Sequence, residues 1–149
     1  MTEPAPFAPA LSLVTLGVAD LARATAFYEA LGFRPAPQSQ PTITFFQLSG
    51  VVLGLYGREA LAEDARVPSA GSGFRAVTLA QNFPSRAAVD AAYAYALACG
   101  AKAVKPPEAV FWGGYSGYFA DLDGHLWEVA HNPFFERRED GRLVLEPLP

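Results

Sequence analysis

Apolar and polar positions alternate with the period of a strand near the start of the chain and again near its middle. Each time the pattern then changes to the period of a helix. LSLVTLGV, beginning at Leu11, predicts a half-buried strand. Asp20 follows at the place of a helix N-cap. Leu21, Ala24, Phe27, Tyr28 and Leu31 then recur at helical spacing, with Gly32 where a left-handed C′ residue belongs. Beyond Pro35, Pro37 and Pro41, the runs TITFFQL and VVLGLY flank Ser49-Gly50 and predict a β-hairpin. Residues from about Glu59 to Gly73 are polar and Ala-rich, punctuated by Pro68, and read as a connection.

The second half repeats this order. FRAVTLA alternates as the first strand does. Pro84-Ser85 opens a helix carrying Val89, Tyr93, Ala96 and Leu97 on one face, and Gly100 closes it. A short strand is expected near Ala101 to Val104, then a break at Pro106-Pro107. YSGYFAD and HLWEVAH flank a turn ending in Asp123-Gly124, a strong hairpin signal. Each half is thus strand, helix and small antiparallel sheet. Such a half leaves one face uncovered and needs its twin. We read residues 1–149 as one domain, with repeated modules at about 11–58 and 72–133 and a carboxyl-terminal extension at 134–149.

Composition narrows the chemistry. Of 149 residues, 51% are hydrophobic and 17% charged, enough apolar surface for a packed core. The formal net charge is −4, and the one basic pair, Arg137-Arg138, lies among acids. A nucleic-acid partner, which demands a positive face, is not expected. The opening MTEPAPFAPA does not read as a signal peptide. No apolar run approaches the ~20 residues that span a bilayer, so no membrane partner is expected and a cytoplasmic location is the default. One cysteine, Cys99, and two histidines, His125 and His131, exclude a disulfide framework and a zinc site of repeated Cys/His pairs.

The segment VTLGVADLARATAFYEALGF, the duplicated plan and the closing FADLDGHLWEVAHNP together resemble the vicinal oxygen chelate superfamily, which holds glyoxalases, bleomycin resistance proteins and extradiol dioxygenases. The likeness runs from about Leu11 to Pro133. It implies an α+β fold of two βαβββ modules whose curled mixed sheet surrounds a shared cavity, and a homodimer. It also places metal ligands on the first and last strands of each module, positions that fall here on Leu13, Gly54, Phe74 and Glu128. Only Glu128 carries a donor, and no histidine precedes His125. A divalent metal needs several convergent N or O donors. No metal is therefore expected at the superfamily's site, and no other cofactor is implied.

Strand parity puts Glu128 on one face with Leu126 and Ala130, and His125 and His131 on the other with Trp127 and Val129. The histidines read as an exposed turn residue and a strand end, and Cys99 as a small packed side chain. A carboxylate in apolar surroundings needs a raised pKa or a hydrogen-bond partner. Glu128 is accordingly either an acceptor for a ligand's polar group or a general base, or else a carboxylate satisfied by Thr15, a tyrosine or water. Phe111 to Tyr118 holds three glycines, so Trp112 and Tyr115 are candidates to stack on a flat ligand. The alternative is ordinary turn chemistry. Gly114 to Tyr118 lacks the spacing of a nucleophile elbow and the lysine of a phosphate loop. Tyr56 and Phe74 share the cavity parity.

The pocket expected from the sequence comprises Leu13, Thr15, Gly54, Tyr56, Phe74, Trp112, Tyr115 and Glu128. Its expected occupant is a small organic molecule held without metal. The alternatives are a glyoxalase-like lyase or isomerase with Glu128 as base, or a dioxygenase-type metalloenzyme. The dioxygenase needs two imidazoles and a carboxylate converging. In the extension, Glu136 to Arg142 reads as a solvated turn, and Arg142 to Leu145 as an edge strand or a cover for a neighbouring subunit.

Overall fold

The computed structural model describes residues 5–145. The first four and last four residues, parts of the irregular lead-in and of the extension, lie outside them. The first module runs β1 (Leu13–Val18), α1 (Leu21–Leu31), β2 (Ile43–Gln47) and β3 (Val52–Gly57). After α2 (Arg58–Ala65), the second runs β4 (Thr78–Asn82), α3 (Arg86–Ala98), β5 (Lys102–Ala109), β6 (Tyr115–Ala120) and β7 (Leu126–His131). The strands β8 (Glu136–Arg137) and β9 (Leu143–Val144) form a small hairpin in the extension.

The two main sheets have the orders β1-β3-β2 and β4-β7-β6-β5. In each, the strand before the helix pairs in parallel with the module's last strand, so the repeat read from sequence is one of topology. The helices start where their caps dictate. Asp20 accepts a hydrogen bond from the Arg23 N–H and Ser85 from the Ala88 N–H. Each apolar helix stripe covers its sheet. Ala24, Phe27 and Tyr28 of α1 and Val89, Tyr93 and Ala96 of α3 are buried in one cluster with Leu16, Val18, Phe46, Leu53, Leu55, Phe119, Trp127 and Val129. The modules therefore share a core, and its centre is aromatic. The Tyr28 ring stacks on Phe33 at 5.9 Å, and Phe119 on Trp127 at 6.4 Å between centroids.

Four details depart from the sequence reading. The polar stretch after Gly57 is in part helical, forming α2. Gly17 admits this helix closely, since a Cβ there would lie 3.3 Å from the Arg58 Cα. The strand expected from FRAVTLA begins only at Thr78, because Ala76 takes a left-handed φ of 60° that interrupts extension. β5 passes through Pro106-Pro107 instead of stopping there. It is an edge strand whose register shifts between Ala103 and Lys105 and between Lys105 and Glu108, where missing proline N–H groups cost no ladder bond. In the first module the counterpart of β5 shrinks to one bridge, Pro35 to Phe46, in the proline-rich stretch.

Candidate functional site

Each sheet has a second face, turned away from the shared core. In the first module, cross-strand register places Leu13 opposite Val52, Thr15 opposite Gly54 and Gly17 opposite Tyr56 on that open face. Gly54 is enclosed there. A Cβ would meet Thr15 Oγ1 at 3.2 Å and Leu13 Cδ1 at 3.3 Å. In the second module the open face carries Glu128, with Ala80 beside it on β4 and Tyr118 beside it on β6. Leu126 and Ala130 flank it along β7, and Glu128 itself is half-buried.

Tyr118 supplies a polar neighbour for the carboxylate. Burial first, then the negative charge of Glu128 and hydrogen bonding to it, push the Tyr118 phenol above the ordinary tyrosine value, with Lys105 pulling the other way. The sequence reading allows a tyrosine as partner for Glu128 without singling out Tyr118. Its position is nevertheless readable. Counting outward from the Asp121–Gly124 turn pairs Ala120 with Leu126 and hence Tyr118 with Glu128.

Leu13, Thr15, Gly54 and Tyr56 stand on the first-module sheet, separate from the sheet that carries Glu128, and the remaining expected pocket residues lie apart from the carboxylate. Phe74 precedes β4 and is 72% exposed, and Ala80 takes the position beside Glu128 that the resemblance assigns to Phe74. Tyr115 has the opposite parity to Tyr118. Its hydroxyl donates to Asp90 Oδ1 at 2.7 Å on α3, and the Arg86 guanidinium lies 5.3 Å from its ring centroid. It therefore braces the helix side of the sheet. Trp112 sits in the β5–β6 turn, its ring across Gly114, where a Cβ would fall 1.9 Å from the indole. It is separated from Tyr118 by the first half of β6. Concavities of about 60 to 510 Å3 among the described residues are lined by α2, by the turns near Ser49 and Gly124, and by the α3 side of β7, and a small one of about 60 Å3 takes in Phe74.

Both histidines are engaged by main-chain carbonyls. His131 Nδ1 donates to the Phe83 oxygen at 3.0 Å. His125 Nε2 donates to the Gly17 oxygen at 2.8 Å, so it joins the two modules rather than standing free at a turn. Cys99 is half-buried, its thiol 3.7 Å from the Ala30 oxygen. Among the described residues no three His, Cys, Asp or Glu side chains converge as a metal-binding group. No helix among them is long and apolar enough to cross a membrane.

Comparison with known proteins extends this picture. The family profile described as Glyoxalase/Bleomycin resistance protein/Dioxygenase superfamily matches residues 10–129. A glyoxalase-related enzyme from Fulvimarina pelagi superposes with a TM-score of 0.84 at 33% identity, over 94% of this chain and 100% of that one. A glyoxalase/bleomycin resistance protein/dioxygenase from Nocardioides superposes at 0.71 and 26% identity, over 85% of each chain. A family enzyme from Burkholderia phytofirmans PsJN, 23% identical over 82% of this chain and 98% of that one, shares the fold at 0.75. The sequence matches no curated protein.

Proposed function

The chain belongs to the glyoxalase/bleomycin resistance protein/dioxygenase superfamily, and on that footing we infer that it binds a small organic molecule on the open sheet face around Glu128, without a divalent metal at the superfamily's ligand positions. The observation that carries this reading is the donor set. Leu13 offers no donor, Gly54 has no room for a ligating side chain between Thr15 and Leu13, and the β4 neighbour of Glu128 is Ala80. One carboxylate beside one phenol falls short of the four to six donors that zinc or magnesium requires. The residues present do not fit the metal. They fit a ligand with an apolar body and a polar group able to donate to Glu128 or accept from Tyr118.

A second reading is favoured by the Tyr118–Glu128 juxtaposition itself. In a lyase or isomerase, Glu128 would take the proton from a carbon next to a carbonyl. The Tyr118 hydroxyl, protonated at neutral pH, would donate a hydrogen bond to the enolate oxygen. The dioxygenase reading lacks such support, since His125, His131 and a carboxylate do not converge as a metal-binding group among the described residues.

The deciding experiment titrates the protein, purified without chelator, with small aromatic and aliphatic carbonyl compounds while tryptophan emission and metal content are followed. Saturable binding without stoichiometric metal, weakened by Glu128→Gln, supports the binding function. Turnover of a carbonyl compound that Glu128→Gln abolishes supports the second. A stoichiometric metal lost on Glu128→Gln, or ligand binding indifferent to that change, overturns the assignment.

A further inference from the structure

A different cleft, of about 510 Å3, opens between α2, the loop that follows it and the junction of the two modules. Its lining includes the apolar Leu61, Ala62, Val67 and Pro68, together with Asp123 and His125. Two arginines meet inside it. Arg58 donates from Nε and Nη2 to the Ser69 carbonyl at 3.0 and 2.6 Å, and Nη2 also reaches the Gly71 carbonyl at 3.1 Å. Arg75 Nη2 donates to the same Gly71 oxygen at 2.7 Å. The Gly71 φ of 134° suits only glycine, so the loop is built to turn that carbonyl toward both guanidiniums.

The arrangement is electrostatically incomplete. Two cations converge on one neutral oxygen, and the ion pairs among the described residues, Lys105–Glu108, Arg138–Glu136 and Arg142–Asp140, include neither of them. Two acids stand close by without pairing with either arginine, and one of them, Asp123, lines the cleft. Glu59 Oε2 accepts from the Ser69 hydroxyl at 2.5 Å, and Asp123 Oδ1 accepts from the Ala19 N–H at 2.8 Å. His125 donates through Nε2 to Gly17, which leaves Nδ1 without a partner among the described residues. A planar guanidinium with donors to spare is the group best matched to a carboxylate or phosphate, and two of them on one side of a cavity match an oxyanion better than a carbonyl.

We propose that this cleft is a binding site for a small organic oxyanion, a carboxylate or phosphate monoester, whose charged end lies between Arg58 and Arg75 and whose short apolar body lies along Leu61 and Val67. The site is independent of Glu128, and its ligand need not be the molecule bound there.

The test uses the full chain and four probes: hexanoate, hexyl phosphate, the uncharged hexanamide and inorganic phosphate. Binding is read from the arginine Nε–H signals in proton–nitrogen spectra. Hexanoate or hexyl phosphate is expected to shift the Arg58 and Arg75 signals saturably, and whichever binds tighter identifies the head group. Hexanamide is expected to leave them in place, and inorganic phosphate to bind more weakly than the hexyl ester, because it lacks the apolar body. Arg58 holds two loop carbonyls, so its replacement risks undoing the loop. Arg75→Gln is the cleaner variant and should weaken binding about tenfold or more, while Glu128→Gln should leave it unchanged. Equal shifts with hexanamide, no saturable shift with either hexyl anion, or undiminished binding to Arg75→Gln would each overturn the proposal.

Discussion

Tyr28 donates its hydroxyl hydrogen to Asp121 Oδ2 at 2.6 Å across 93 positions of the chain, and the same hydroxyl oxygen accepts the Trp127 indole N–H at 3.0 Å. Tyr28 belongs to the helix of the first module, whereas Asp121 and Trp127 belong to the hairpin of the second. The other carboxylate oxygen, Oδ1, accepts the Asp123 and His125 N–H groups and so shapes the β6–β7 turn. That turn presents Asp123 to Ala19 and His125 to Gly17. One buried carboxylate thus fixes both a turn and the docking of the modules. The register of β7, on which Glu128 stands, is fixed with them.

Replacing Tyr28 by Phe keeps the ring in its stack but leaves Asp121 Oδ2 without its donor and the Trp127 N–H without its acceptor. Asp121 is 4% exposed, so water does little to replace the lost partner. Unsatisfied buried groups of this kind cost about 1–3 kcal/mol, more where one is charged. Urea unfolding should show Tyr28→Phe destabilised by that order. An unchanged midpoint would mean that the network contributes nothing beyond the packing of the ring.

The same tyrosine sets an alkaline limit. Burial, followed by the charge of Asp121, holds the Tyr28 phenol far above its ordinary value of 10.0. Above about pH 10 an unfolded tyrosine loses its proton while the folded one keeps it, so unfolding releases a proton and stability falls as pH rises. Below that pH the contribution is complete. Between about pH 9 and pH 11 the native chain should therefore lose more stability than Tyr28→Phe. Tyr115 and Tyr118, also shifted upward, are present in both proteins. Parallel stability curves for the two would contradict the account.

The repeat was legible because caps and periodicity act locally. Asp20, Ser85 and the apolar stripes of α1 and α3 state their elements within a few residues. What escaped the sequence depends on distant partners. α2 is a short helix with no buried side chain of its own, and its place against β1 rests on the missing side chain at Gly17. The left-handed turn at Ala76, a residue that rarely adopts it, moved the start of β4 past Phe74. At the candidate site, Glu128 was visible as the one carboxylate with cavity parity. Tyr118 follows only once the register is counted outward from the Asp121–Gly124 turn, and Tyr115, read as part of a glycine-rich loop, begins β6.

Gly114 carries a prediction about Trp112. With the indole lying where a Cβ would point, 1.9 Å away, Gly114→Ala must displace the ring. Trp112 is 40% exposed in a surface turn and has solvent to move into, so the cost to stability should stay within about 1 kcal/mol. Its emission should shift to longer wavelength, and in a Trp112→Phe background Gly114→Ala should leave the emission unchanged. If Trp112 belongs to the ligand site, Gly114→Ala also weakens ligand binding. Binding unaffected by Gly114→Ala would remove Trp112 from that site.

Glu128 and Tyr118 offer a measurement that needs no ligand. The carboxylate raises the phenol's pKa through its charge and hydrogen bonding, and Lys105 lowers it. Glu128→Gln removes the negative charge, so the Tyr118 pKa should fall toward 10.0, stopping short of it because burial, the largest cause, remains. Lys105→Met removes the opposing positive charge and should raise the pKa further. The resonance of the Tyr118 carbon that bears the hydroxyl, assigned by its loss in Tyr118→Phe, reports both shifts as pH is raised from about 8 to 12. Opposite signs for the two variants establish that the phenol senses the carboxylate across the β6–β7 pair. A Tyr118 titration indifferent to Glu128→Gln would separate the two groups and withdraw the hydrogen-bond donor on which the lyase or isomerase reading depends.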